Sequence, residues 1–343
     1  MKTTKIAING AGRIGRAFLK LAVSDSTLEV VAMNDLASLE NIAYLVNYDS
    51  VYGPSGLNAR VSDSKTSLVI NNKEIKYLSE KDPTILPWKA LEVDIVVEST
   101  GLFVSYEKAR AHLTAGAKRV VVTAPVKDEP PADIKGATVL MGINEPFLEG
   151  ASITSNASCT TNAGSPLMAI LHETIGIEKA ILNTVHAYTA SQALVDAPSK
   201  KDMREGRAAA QNIVPSSTGA AIAVTKALPS LSGKFDGISI RVPVIAGSIV
   251  DVTFLAKRDT SAEEVNAILK KEAANPRWQG IFSVTEEPLV SRDIIGNPYA
   301  SIADLSFTRV VDKNLVKVLA WYDNEMGYTH ALLRHVKAAA AFL

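Results

Sequence analysis

An apolar run, Ile6-Ala7-Ile8, leads into Gly10-Ala11-Gly12-Arg13-Ile14-Gly15, and a helical pattern begins at Arg13. Glycines at this spacing between a strand and a helix leave few folds open. The first makes a tight turn, the second lets the backbone approach a pyrophosphate, and the third lets the helix pack closely on the strand. Free N–H groups at the helix start suit phosphates. A glycine-rich turn without a ligand has the same pattern, so a second signal is needed. Asp35 supplies it, 20 residues after Gly15 at the end of the next strand-like run. A carboxylate there accepts from ribose hydroxyls and repels a 2′-phosphate, which predicts NAD rather than NADP. Its alternative is a cap or turn residue.

The rest of the first half continues the alternation. Residues 5–9, 29–34, 94–98 and 119–123 read as strands, and 13–23, 39–46 and 107–115 as helices. Residues 67–78 read as a hairpin around Asn71-Asn72. Alternating strands and helices predict an α/β fold, a doubly wound parallel sheet of Rossmann type over residues 1–155. Beyond it, 161–173, 219–228 and 262–274 are helical, while 179–187, 238–242, 248–256, 302–308 and 315–322 are strand-like. This predicts an α+β catalytic domain over 156–327 with a largely antiparallel sheet. A last helix, within 328–343, returns to the first domain. A chain of 343 residues suits about two domains.

Lys plus Arg and Asp plus Glu each number 36, so no overall field draws the chain to nucleic acid or an anionic membrane. No apolar run approaches the roughly 18 residues of a spanning helix. The N-terminal apolar stretch is also too short for a signal peptide. A single cysteine excludes an intrachain disulfide and fits a reducing compartment. The expectation is a cytoplasmic protein. No Cys/His cluster has zinc spacing, so no metal is expected.

That cysteine, Cys159, lies in Ser155-Asn156-Ala157-Ser158-Cys159-Thr160-Thr161-Asn162, at a strand-to-helix junction. A helix N-terminus stabilises a thiolate; a lone cysteine is also commonly a buried structural one. His186 ends a strand-like run 27 residues later, so the two form a nucleophile-and-base candidate or a pair of core residues. The other histidines, His112, His172, His330 and His335, fall in helical patterns and are expected at the surface or between helices. Residues 189–212 form a polar loop long enough to be functional, with Arg204 and Arg207 in it. Ser216-Ser217-Thr218-Gly219 precedes a helix and is either a phosphate cradle or an N-cap. Arg241, in a strand between apolar neighbours, needs an acidic partner or an anionic ligand.

With INGAGRIGR, MND, YDSVYG, VVESTG, SNASCTTN, HAYT, GRAAAQNIVPSSTGAA, IRVP, LVSRD and WYDNEMGY in one chain, the sequence resembles the phosphorylating glyceraldehyde-3-phosphate dehydrogenases from Lys5 to the last helix. The resemblance implies a glycolytic oxidoreductase with Cys159 as nucleophile and His186 as base. It implies that Arg13, Ile14, Asp35 and Asn324 contact NAD beside Gly10, Gly12 and Gly15. Lys81 stands where the family usually has an Arg near the adenine, and Thr123 where it has a Ser. Thr189 and Arg241 would hold the substrate phosphate; Ser158, Thr160, Arg204, Thr218 and Gly219 would surround inorganic phosphate. The resemblance also implies a homotetramer, with the long loop against a neighbour's cofactor and Pro198 disfavouring NADP. The chain departs from the family at Ala163, in place of a second Cys, and at Ser191, Glu205 and Ala246-Gly247. Ser191 and Glu205 stand where many members have Asp or Thr and a second Arg.

Overall fold

The computed structural model describes residues 3–199 and 202–343. Two compact units divide the chain. The first runs to Val139 and takes in Asn144–Ala157 and Leu332–Leu343; the second comprises Leu140–Ile143 and Ser158–Ala331.

The first unit carries a nine-stranded sheet. Its order is Arg60–Val61, Ser67–Ile70, Lys73–Leu78, Leu28–Asn34, Thr4–Asn9, Ile95–Glu98, Arg119–Val122, Ile153–Ser155, Gly136–Thr138. From Lys73–Leu78 onward every pairing is parallel. The central strands Ile95–Glu98 and Arg119–Val122 are buried throughout, which explains their unbroken β-branched runs. One buried cluster gathers Ile6, Ile8, Phe18, Leu19, Ile42, Val97 and, from the C-terminal helix Met326–Ala340, Leu332 and Val336. A second holds Ala7, Trp88, Val96, Ala109 and Val120. Asn71 and Asn72 both sit at positive φ, 51° and 61°, and turn Ser67–Ile70 into Lys73–Leu78. Two adjacent left-handed residues give a hairpin turn that follows the strand twist, and asparagine tolerates that conformation.

Two histidines depart from the expected placement. His112, on the helix Tyr106–Thr114, and His335, on the last helix, are wholly buried and hydrogen-bonded. Helical periodicity shows a face and not what covers it; here the cover is Trp88 and Glu98 for His112, and Thr154 and Asn156 for His335. Burial pulls His335 down to about 3, so it stays neutral.

The second unit holds a seven-stranded mixed sheet in the order Val214–Ser217, Phe235–Val242, Ile177–Ala187, Ser248–Ala256, Leu315–Tyr322, Ser301–Val311, Phe282–Thr285. Four of its six pairings are antiparallel. The edge strands Val214–Ser217 and Phe282–Thr285 were not expected from the sequence. Pro215 hides the first of them, since proline reads as a strand breaker yet is tolerated at a sheet edge. The helix Cys159–Thr174 starts two residues before its apolar period does, and all its residues from Thr160 to Leu171 are buried. The described residues of the stretch 189–212, namely 189–199 and 202–212, form a loop with a 3-10 turn, Met203–Gly206, and bonds of its own. Ala193 N–H donates to Glu205 O, Ala197 N–H to Gly206 O and Ala209 N–H to Ala193 O. Among the described residues, no helix is long and apolar enough to cross a membrane, and no cluster of three metal-ligating side chains occurs.

Candidate functional site

Among the described residues, each unit carries a candidate site. In the first, a cleft of about 310 Å³ opens at the C-terminal ends of the parallel strands, the position at which open α/β sheets bind ligands. Gly10, Gly12, Asp35 and Lys81 line it, joined by Asn9, Asn34, Glu80, Ser99, Thr100, Leu102 and Phe103. Arg13, Ile14, Gly15, Thr123 and Asn324 are not among its lining residues. The Arg13 guanidinium pairs with Asp49 at 2.8 Å, and Ile14 packs against the core.

The three glycines differ in kind. A Cβ on Gly10 would lie 2.7 Å from the Ser99 and Thr100 backbone, and one on Gly15 would lie 1.9 Å from Gly10 O. Those two glycines serve the protein's own packing. A Cβ on Gly12 would meet nothing within 4 Å. Gly12 caps the helix Arg13–Ala22 with no side-chain hydrogen bond, so its surroundings remain open to an anion at the helix start. The Asp35 carboxylate accepts from Ala11 N–H at 2.7 Å and Ala37 N–H at 2.9 Å, which fixes it at the rim with lone pairs to spare. These features fit a dinucleotide.

In the second unit, Cys159 is the first residue of its helix, and Ser158 caps that helix by accepting from Thr161 N–H at 3.1 Å. Cys159 Sγ lies 3.3 Å from His186 Nε2. Strand pairing sets Arg241 directly beside His186, with Arg241 Nη1 2.6 Å from Nδ1 and 3.4 Å from Ala187 O. His186 Nδ1 also lies 2.6 Å from Ala187 O. A guanidinium can only donate, so the two Nδ1 contacts call for opposite tautomers. We assign the Nδ1 proton to Ala187 O, because Arg241 retains that carbonyl as its own acceptor. Nε2 is then an acceptor aimed at the thiol.

Burial pushes the Cys159 thiol up, against the pull of Arg241, the Thr160 N–H and hydroxyl, and Cys159's own N–H. Burial first and Arg241 second pull His186 down to about 3. The resting pair is therefore a neutral thiol and a neutral imidazole. Here desolvation outweighs the helix-terminus effect that the sequence suggested. Tyr322, unassigned at the sequence level, packs its ring against His186 edge-on at 5.9 Å. Its hydroxyl lies 2.9 Å from Thr160 Oγ1 and 2.8 Å from Thr184 Oγ1. WYDNEMGY contained this tyrosine, but nothing in a single sequence separates it from a core aromatic.

The anion candidates are more dispersed. Thr189 Oγ1 meets Ser191 Oγ at 3.0 Å. Thr218 Oγ1 accepts from Ala220 N–H, and Gly219 begins the helix Ala220–Ala227. Arg204 is turned to solvent and pairs with Asp202 at 2.9 Å. The Glu205 carboxylate accepts from Ser216 Oγ at 2.9 Å, which sets a negative charge two residues from Thr218. Asn324 Oδ1 accepts from Gly247 N–H and Ser248 Oγ, both at 3.1 Å.

Comparison with known proteins agrees across the chain. A family model described as the NAD binding domain of glyceraldehyde 3-phosphate dehydrogenase matches residues 4–106, and one for the C-terminal domain of the same enzyme matches 158–324. Glyceraldehyde-3-phosphate dehydrogenase B of Aspergillus oryzae is 46% identical over 332 residues, 96% of either chain. The glyceraldehyde-3-phosphate dehydrogenase of Geobacillus stearothermophilus is 46% identical over 331 residues, again 96% of each. That of Streptomyces coelicolor is 44% identical over 334, covering 96% of this chain and 97% of the relative.

Proposed function

The chain belongs to the glyceraldehyde-3-phosphate dehydrogenase family, and from that premise we propose that it is the NAD-dependent phosphorylating enzyme, making 1,3-bisphosphoglycerate through a Cys159 thioester. The observation that carries this reading is the 3.3 Å approach of His186 Nε2 to Cys159 Sγ at a helix N-terminus.

His186 takes the thiol proton as Sγ attacks the aldehyde carbon of glyceraldehyde 3-phosphate. A thiol suits the task because thiolate is intrinsically more nucleophilic than an alcohol at neutral pH. The tetrahedral oxyanion meets the Cys159 N–H and the newly protonated His186. NAD, when bound, supplies the two-electron acceptor. The resulting thioester keeps the acyl carbon activated. Phosphate adds to that carbon, the Cys159 thiolate leaves, and His186 returns the proton. The Arg241 charge beside the pair, with Thr189, holds the substrate phosphate. Ser158, Thr160, Arg204, Thr218 and Gly219 attend inorganic phosphate. Gly12, Arg13, Ile14, Asp35, Lys81, Thr123 and Asn324 serve the dinucleotide directly, and Gly10 and Gly15 serve it through the close packing of the turn, with Asp35 excluding a 2′-phosphate. The working protein is a homotetramer in the cytoplasm.

Initial rates with NAD and NADP, each with and without phosphate, test the reading. Turnover should need NAD and rise with phosphate, and Cys159→Ser should abolish it while NAD still binds. Equal use of NADP, phosphate-independent turnover or an active Cys159→Ser would overturn it.

A further inference from the structure

Behind the cofactor cleft lies a buried hydrogen-bonded cluster that the chemistry above does not use. Glu98, at the end of the strand Ile95–Glu98, and His112, on the helix Tyr106–Thr114, are both inaccessible to solvent through their whole side chains. His112 Nε2 lies 2.9 Å from Glu98 Oε2. Trp88 Nε1–H donates to His112 Nδ1 at 3.1 Å. An indole N–H only donates, so Nδ1 is an acceptor, and the ring proton sits on Nε2, facing Glu98.

The same carboxylate takes three further donors. Asn9 Nδ2 donates to Oε2 at 2.6 Å, and the Thr100 N–H and hydroxyl both donate to Oε1. Four donors on two oxygens leave no place for a donor on either oxygen. The cluster then extends outward. Asn9 Oδ1 accepts from Asn34 Nδ2 at 2.7 Å, and Asn34 is bonded through both amide atoms to the Glu80 backbone. The His112 ring also receives Phe103 edge-on at 6.0 Å. Asn9, Asn34, Glu80, Thr100 and Phe103 all line the cleft, whereas Glu98, His112 and Trp88 do not.

We propose that Glu98 and His112 are positioning residues for the dinucleotide, a buried pair that fixes one wall of the cleft from behind. This rests on the reading of the cleft as the NAD site. Three successive parallel strands end at this wall, and each ending carries a polar side chain, Asn34, Asn9 and Glu98. A single acceptor-only group shared among Asn9, Thr100 and His112 holds the endings in one arrangement before a ligand arrives. Pre-organisation of this kind raises affinity by removing the ordering cost from the binding step. Charge-assisted hydrogen bonds are about twice as strong as neutral ones, so the shared carboxylate gives a stiffer wall than an amide would.

The test is Glu98→Gln, which keeps size but sets an amide NH2 against the donors. NAD and ADP-ribose are titrated into the purified protein by calorimetry. Alongside, the rate of Cys159 alkylation by iodoacetamide is measured without cofactor, with the melting temperature and steady-state constants. Both dissociation constants should rise about tenfold and KM for NAD should follow. The kcat value and the cofactor-free alkylation rate should stay within about twofold. His112→Gln, which retains an N–H toward Glu98, should lie between the two proteins, and it carries the test if Glu98→Gln does not fold. Unchanged dissociation constants in a folded variant overturn the proposal, even if its melting temperature falls, because the pair is then structural only. A loss of kcat and alkylation with no change in NAD affinity overturns it equally. A natural chain that bound no NAD would remove the cofactor reading and this inference together; natural binding with an unaltered variant removes the inference alone.

Discussion

Gly12 and Gly15 make opposite predictions for the same substitution. At Gly15 an added Cβ falls 1.9 Å from Gly10 O, where real contacts stay beyond 3.0 Å. The helix Arg13–Ala22 must therefore withdraw from its strand by about 1 Å, against an interior packed without slack. Overpacking of this kind costs about 1–3 kcal/mol. At Gly12 the added atom meets nothing within 4 Å, and the backbone, at φ −67°, is one alanine adopts freely. Gly12→Ala should leave the cofactor-free protein unchanged or up to about 1 kcal/mol more stable, through the unfolded chain's lost freedom. The same methyl then stands where a phosphate approaches the helix N–H groups. Losing one hydrogen bond to a charged group, about 1.5–3 kcal/mol, weakens NAD by roughly 10- to 100-fold. Thermal melts with and without NAD, and a fluorescence titration, separate the two. Gly15→Ala should melt early in both conditions; Gly12→Ala should melt normally and lose the NAD-induced rise. A Gly12→Ala protein that binds NAD like the natural chain, or that is as unstable as Gly15→Ala, would refute the assignment of open space at Gly12 to a phosphate.

His186→Asn should lower turnover by about 10²–10⁴-fold, the usual contribution of general acid–base catalysis, and should slow alkylation of Cys159 near neutral pH; an unchanged alkylation profile would uncouple the two residues. His335 is held neutral down to about 3, below the ordinary histidine value of 6.5. The unfolded chain takes up that proton first, so stability is full above about pH 6.5 and falls as pH drops toward 3, by about 1.4 kcal/mol per pH unit for such a group. His335→Gln should flatten the fall of the urea midpoint between pH 6.5 and 4.5, and an unaltered slope would show that His335 does not drive it. Glu205→Gln removes a negative charge about 7 Å along the strand from Thr218. Against a divalent phosphate in a water-like dielectric that charge costs roughly 1 kcal/mol, so KM for phosphate should drop about fivefold while KM for NAD holds. A rise in KM for phosphate would place the anion elsewhere.

How much of this was legible beforehand follows from the range of each signal. The glycine turn, the Asn71-Asn72 hairpin and the burial of 95–98 are local, and local residues announce them. Cys159 and His186 were legible as a pair of reactive types, but their 3.3 Å approach depends on a helix start and a strand end meeting in space. His112 and Glu98 were missed for the same reason: one sits in a helical pattern, the other ends an apolar run, and neither shows the other. The strand Val214–Ser217 was missed because Pro215 and two serines resemble a loop. The resemblance implies Arg204 at a phosphate, and its ion pair with Asp202 is a contact the sequence does not show. The thiol's direction went the other way because a sequence shows a helix start and not the depth at which it lies.

The lone cysteine has a consequence for oxidative chemistry. Cys159 is the single thiol among 343 residues and is partly accessible. Two-electron oxidation of its sulfur gives a sulfenic acid, which is ordinarily rescued by condensation with a nearby thiol. No resolving thiol exists in this chain. Peroxide damage at Cys159 is reversible only through a small external thiol that reaches the sulfur in time; otherwise it proceeds to the sulfinic and sulfonic acids, and the nucleophile is lost for good.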